Sequence, residues 1–144
     1  MAESFDNSPL VRTDFSDDGA WHSLVAAATA MSREGHQADL RTIDDRRFEG
    51  CAPAELIDLG RGWNDAAVLF VADTEALTNP DQPILCVDLF EEPGRSFRCI
   101  PSELCGVENN LRISNMDFDE FARFADDLGT FRGFPRGATD LLKR

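Results

Sequence analysis

A chain of 144 residues holds one domain's worth of core, and its 42 % apolar content, with eleven Phe and two Trp, excludes a disordered chain. Its 27 acids outnumber 14 bases for a formal charge of −13, which sets it against phosphate backbones and anionic lipid and in favour of cationic partners. No apolar run is long enough to span a bilayer. The opening MAESFDNSPL has neither the basic nor the apolar region of a signal peptide, so a reducing cytoplasm is expected.

Residues 1–8 are polar and expected to fray. PLVRTDF (Pro9 to Phe15) reads as a first strand. In SDDGAWHSLVAAATAMSREG, Ser16 is the expected N-cap, with Asp17 and Asp18 in a first turn that favours anions. Trp21, Leu24, Val25, Ala28 and Met31 recur at helical spacing, and Gly35 is the expected stop. QADLRTIDD (Gln37 to Asp45) alternates as a second strand. APAELIDLG is a short helix with Pro53 in its first turn and Gly60 at its end. AAVLFVAD (Ala66 to Asp73) is apolar almost throughout, the pattern of a strand covered on both faces. A helical turn, TEALTNP, and the turn PDQP follow.

ILCVDLF and SFRCIP read as a hairpin closed by EEPGR (Glu91 to Arg95). A turn of that length sets Phe90 opposite Ser96. Leu85, Val87, Leu89, Phe97 and Cys99 then share one apolar face, Asp88 faces Arg98, and Cys86 points away from Cys99. The four cysteines (Cys51, Cys86, Cys99, Cys105) lack CxxC or Cys/His metal spacing and read as free, mostly buried thiols. SELCGVENNLR and DFDEFARFADDLG read as helices, the second with Phe118, Phe121, Phe124 and Ala125 in phase. TFRGF (Thr130 to Phe134) is apolar enough to dock on the core. Arg132 and Arg136 beside Phe131 and Phe134 read as packing, and residues 135–144 as a loose tail. The order predicts one α/β domain over residues 9–134. Its architecture is three-layered, with a mixed, mostly parallel sheet of about five strands, then a C-terminal hairpin and helices.

The strands run into acids: Asp14, Asp17 and Asp18 after the first, Asp44 and Asp45 after the second, Asp73 after the third. If the three lie parallel, all six carboxylates gather at the carboxyl edge, where open α/β sheets place their ligand sites. Three uses stay open: helix capping, a basic protein partner, or a hard cation such as Mg²⁺. Glu108, Asn109 and Asn110 form a second candidate, a hydrogen-bonding patch for a ligand. Their structural alternative is capping, with Asn109 and Asn110 closing one helix and Asn115 opening the next. No GxSxG, P-loop or GxGxxG occurs, and neither His22 nor His36 has a Cys or Ser partner at recognisable spacing, so no catalytic residue is named.

As a set, LVRTDFSDDGAW, LFVAD, DLFEEPGRSFRCIPSEL, VENNLRISNMDF and FRGF resemble a bacterial domain family of unknown function, seen mostly as short stand-alone proteins. The resemblance spans about Leu10 to Phe134 and implies a single cytosolic domain with no assigned reaction. NLRISNMDFDEF is also similar to the closing helical segment of immunity proteins of the SMI1/KNR4-like kind, whose usual helical opening this chain lacks. Two readings lead. One is an acidic, non-enzymatic protein that binds a basic partner in a toxin-neutralising or regulatory role. The other is a small enzyme using the carboxylate edge with a divalent cation. A third is a structural subunit pairing through apolar residues near Phe131 and Phe134.

Overall fold

Three apolar runs, each tipped by aspartate, set the frame. The computed structural model describes residues 7–59, 63 and 65–134. The frayed start over 1–6, the tail over 135–144 with Arg136, and the helix stop Gly60 lie outside the described residues. β1 (Ser8–Arg12) lies between β2 (Leu40–Ile43) and β3 (Val68–Ala72), parallel to both. β4 (Ile84–Asp88) is antiparallel to β3, β5 (Ser96–Cys99) is antiparallel to β4, and β6 (Thr130–Phe131) adds in parallel to β5. The sheet is β2-β1-β3-β4-β5-β6. The sixth strand, beyond the expected five, is the TFRGF segment: Phe131 is buried, and Phe134 packs against the rings of Phe121 and Phe124.

Alternate residues of the central strands feed two cores. Leu10, Val68, Phe70 and Ala72 pack with Trp21, Leu24 and Ala28 of α1 (Asp18–Ala28) and with residues of α3 (Thr74–Thr78), α4 (Pro101–Arg112) and α5 (Phe118–Ala122). Val11, Leu69 and Val71 pack with Phe48 of a 3₁₀ turn (Arg46–Phe48), Leu56 of α2 (Pro53–Leu59) and Trp63. The chain steps from β1 to β2 in one direction and from β2 back past β1 to β3 in the other. Right-handed crossovers therefore put α1 and α2 on opposite faces of the sheet.

Local expectations shift in five places. Ser8, assigned to the frayed start, is buried in β1. The cap of α1 is Asp17 rather than Ser16, its carboxylate accepting the Ala20 N–H at 3.0 Å. α1 closes at Thr29 rather than Gly35: the Thr29 N–H and hydroxyl both bond the Val25 carbonyl (3.0 and 2.7 Å), the helical pattern does not continue past it, and Met31 lies beyond the helix, 66 % exposed. Asp117 rather than Asn115 opens α5, with the Glu120 carboxylate returning to its N–H at 3.0 Å. Asn115 instead donates to Asn110 at 2.8 Å.

The fifth shift is the hairpin register. Val87, not Phe90, lies opposite Ser96, and Leu85, not Asp88, lies opposite Arg98. An odd shift exchanges the faces. Cys86 and Phe97 now share the α4 side with Ile84 and Cys99, while Val87 joins the α2 side. Asp88 causes this. Its buried carboxylate accepts the N–H groups of Phe90 (2.9 Å), Glu91 (3.3 Å) and Glu92 (2.8 Å), organising a longer loop over residues 89–95. Cys86 and Cys99 are buried neighbours, both free, and burial pushes the Cys99 thiol well above its ordinary value.

Candidate functional site

The six strand-end aspartates do come to one edge, at the carboxyl ends of β1, β2 and β3. β1 and β3 form the crevice where the chain changes direction across the sheet, the usual ligand position of such folds. Here the crevice is built around a base. Arg12, the last residue of β1, is buried. Its guanidinium donates to Asp18 Oδ1 at 2.8 Å, to Asp44 Oδ1 at 3.4 Å and to the Asp14 carbonyl at 2.9 Å. Its Cζ lies 4.4 Å from the Phe15 ring centroid and 5.6 Å from that of Trp21. A buried guanidinium needs counter-charge and hydrogen-bond acceptors, and the two ring faces add to their attraction.

Each aspartate has a local task. Asp14 accepts the Ser16 N–H (2.8 Å) and hydroxyl (2.7 Å), bonds that hold its carboxyl below the usual range. Asp17 caps α1. Asp18 is lowered by its bond to Arg12. Asp45 caps the 3₁₀ turn through Arg47 N–H (3.0 Å) and pairs with the Arg47 guanidinium (3.1 Å). Asp73 caps α3 through Ala76 N–H (3.1 Å) and takes Arg98 in a two-pronged pair at 3.0 and 2.7 Å. That pair raises the Arg98 guanidinium above its ordinary value. Arg12 therefore occupies the position between Asp18 and Asp44 that a cation would take. Among the described residues, no group of three or more His, Cys, Asp or Glu is arranged to hold a metal ion.

The capping residues leave charge over. Six carboxylates stand against the three guanidiniums paired with them, those of Arg12, Arg47 and Arg98. Asp17, Asp18 and Asp44 face solvent, so the edge stays net negative.

Glu108, Asn109 and Asn110 do not join this edge. Glu108 is fully buried on α4, where it ties three segments together. It accepts the Ser8 hydroxyl of β1 (2.7 Å), the Asp39 N–H before β2 (2.8 Å) and Arg112 Nε (2.9 Å). Asn109 accepts Arg112 Nη2 at 2.9 Å, and Asn110 donates to the Gly106 carbonyl at 2.8 Å. Their amides are spent on α4 and its exit.

The residues that sequence reasoning missed are the bases, Arg12 and Arg98. A lone arginine inside an apolar strand, as in LVRTDF and SFRCIP, is the signal that could have found them: it folds only with a carboxylate waiting.

Among the described residues, no helix is long and apolar enough to cross a membrane. A family model described as a domain of unknown function (DUF6924) matches residues 7–134. No curated protein matches the chain.

Proposed function

The chain belongs to this family of domains of unknown function, and we propose that it is a non-enzymatic interaction protein whose acidic edge engages a basic protein partner. The observation that supports this most is the uncompensated charge: −13 overall, with Asp17, Asp18 and Asp44 exposed at an edge that three arginines only partly neutralise. Those aspartates are held by caps and by Arg12, so they form a fixed negative surface that needs no reordering on encounter. Such a surface speeds association and selects against acidic partners. A neutralising or regulatory role in the cytoplasm fits four unbridged thiols and a scaffold whose charges are structural rather than reactive.

Capture on the immobilised protein from native lysate tests this at two ionic strengths. A basic partner held at about 50 mM salt and released at about 0.5 M is the expected result, since the Debye length falls from roughly 14 to 4 Å over that range. Absence of any partner, or capture indifferent to salt, overturns the proposal.

A further inference from the structure

The end of the molecule opposite the acidic edge has a chemistry of its own. There Glu108 ties α4 to the first residue of β1 and to the residue before β2. Beside it, between α4 and the loop over residues 35–37, lies an open hollow of about 540 Å³, within the range of small-molecule sites. On a chain of charge −13 its lining is unusual. His36 and Arg112 belong to it, and among the described residues no Asp or Glu does.

The lining is rich in donors. Asn109 Oδ1 accepts Arg112 Nη2 (2.9 Å), and Asn110 Oδ1 accepts Asn115 Nδ2 (2.8 Å), so both amide oxygens are taken. Each amino group gives one hydrogen away, Asn109 to Cys105 Sγ (3.4 Å) and Asn110 to the Gly106 carbonyl (2.8 Å), and keeps the other. Arg112 spends Nε on Glu108 (2.9 Å) and one Nη2 hydrogen on Asn109, while Nη1 donates to none of the described residues. The negative end of α4 would oppose an anion, but its last carbonyls are engaged: the N–H groups of Ile113, Ser114, Asn115 and Met116 bond back to Asn109, Leu111 and Asn110. The facing rim is fixed, since Ser32 N–H donates to the His36 carbonyl (2.6 Å) and Ser32 Oγ accepts the His36 N–H (3.0 Å).

Gly106 supplies a second, independent observation. It lines the hollow from inside α4, where glycine is a poor helix former. The fold does not ask for it: the backbone there is ordinary helix, and a Cβ would meet nothing within 4 Å. What the absent side chain does is leave the floor clear beside Asn109 and Asn110, three and four positions on along the same face. The charge balance narrows the occupant. Glu108 offsets Arg112, so the hollow is only weakly basic, and one carboxylate fits it better than a phosphate dianion on so acidic a chain.

We propose that this hollow binds a small monocarboxylate, held by the Nη1 edge of Arg112 and the amino groups of Asn109 and Asn110, with His36 at the rim. The site is separate from the acidic edge and gives the protein a small-molecule ligand in addition to a partner.

The test titrates the ¹⁵N-labelled full-length chain with N-acetylglycine, with sodium chloride at equal ionic strength as reference. Saturable shifts in the millimolar range are expected at the amides of Gln37, Gly106, Asn109 and Asn110, the affinity of so small a probe. N-acetylglycinamide, which lacks the charge, should leave those amides in place. Gly106→Ala should raise Tm by about 3 °C. Gly106→Leu should fill the floor and abolish the shifts in a chain that still folds. Arg112→Lys should weaken binding about tenfold as the fork is lost, and Asn110→Asp should abolish it by adding an acid. Absence of saturation at these amides overturns the proposal, as does equal binding of the neutral amide. Shifts that persist in folded Gly106→Leu place the ligand elsewhere and overturn it, and tighter binding of inorganic phosphate overturns the assignment to a monocarboxylate. A fall in Tm for Gly106→Ala shows that packing, not a ligand, holds the glycine there, and overturns it too. None of these results bears on the acidic edge, at the other end of the strands.

Discussion

Removing the buried carboxylate of Glu108 is the sharpest probe of how the domain is held. Glu108→Ala strands the Ser8 hydroxyl and the Asp39 N–H, which now bond to it at 2.7 and 2.8 Å, and releases Arg112 from a 2.9 Å pair. Each buried group left without a partner costs about 1–3 kcal/mol, and breaking a buried ion pair from one side costs about 3–5 kcal/mol in all. Arg112 is 24 % exposed and can rehydrate, so the lower half of that range, about 3–4 kcal/mol, is expected. Glu108→Gln can still accept from Asp39 and donate to Ser8, but its amide nitrogen then faces the Arg112 Nε–H that the carboxylate accepted, so it loses that charge-assisted bond as well, for about 2–3 kcal/mol. Urea unfolding followed by the fluorescence of Trp21 and Trp63 reads both. Adding Ser8→Ala to Glu108→Ala should cost less than Ser8→Ala alone, because the two share one bond. A Glu108→Ala penalty within about 0.5 kcal/mol, the level of an ordinary surface change, refutes the role given to Glu108.

Other consequences can be checked quickly. With an aromatic disulfide reagent, half-buried Cys51 should react first, while Cys86 and Cys99 stay silent until unfolding; fast labelling of Cys86 contradicts its burial in the core. Glu103 has a raised folded pKa, so its ionisation opposes folding above the unfolded value of about 4.5. Glu103→Gln should therefore raise Tm at pH 7 and lose that advantage at pH 4; an equal gain at both pH values contradicts the assignment. Arg98→Lys keeps the charge but loses the fork on Asp73 and should cost about 1–2 kcal/mol in chemical denaturation.

Much of the scaffold is legible because each βα junction repeats one device: an apolar run, then an aspartate, then a helix or turn. That device marks where caps belong, though at α1 it points to Ser16 where Asp17 does the capping, and it predicts that β1, β2 and β3 run parallel. The β4–β5 register is not legible, because both faces of β4 are buried and alternation carries no information there. The decision falls to Asp88, whose three backbone bonds cannot be read from its spacing to EEPGR. The end of α1 eludes sequence reading for a similar reason: apolar spacing runs on to Met31, but the helix closes at Thr29 with no glycine or proline to mark the place. The aspartate edge is legible as a place and not as an environment. Its character depends on Arg12 and Arg98, and Arg98 reaches Asp73 from a strand 25 positions along the chain.

The most direct test of the account replaces charge without replacing structure. Asparagine caps a helix about as well as aspartate, so Asp17→Asn with Asp45→Asn should leave Tm within about 1–2 °C while removing two negative charges from the edge. Measured by calorimetry against the captured basic partner near physiological salt, this double variant should bind about tenfold more weakly. The difference should shrink as salt rises. An unchanged Kd in a variant that folds as well as the parent would contradict the claim that the aspartate edge is the surface that meets the partner.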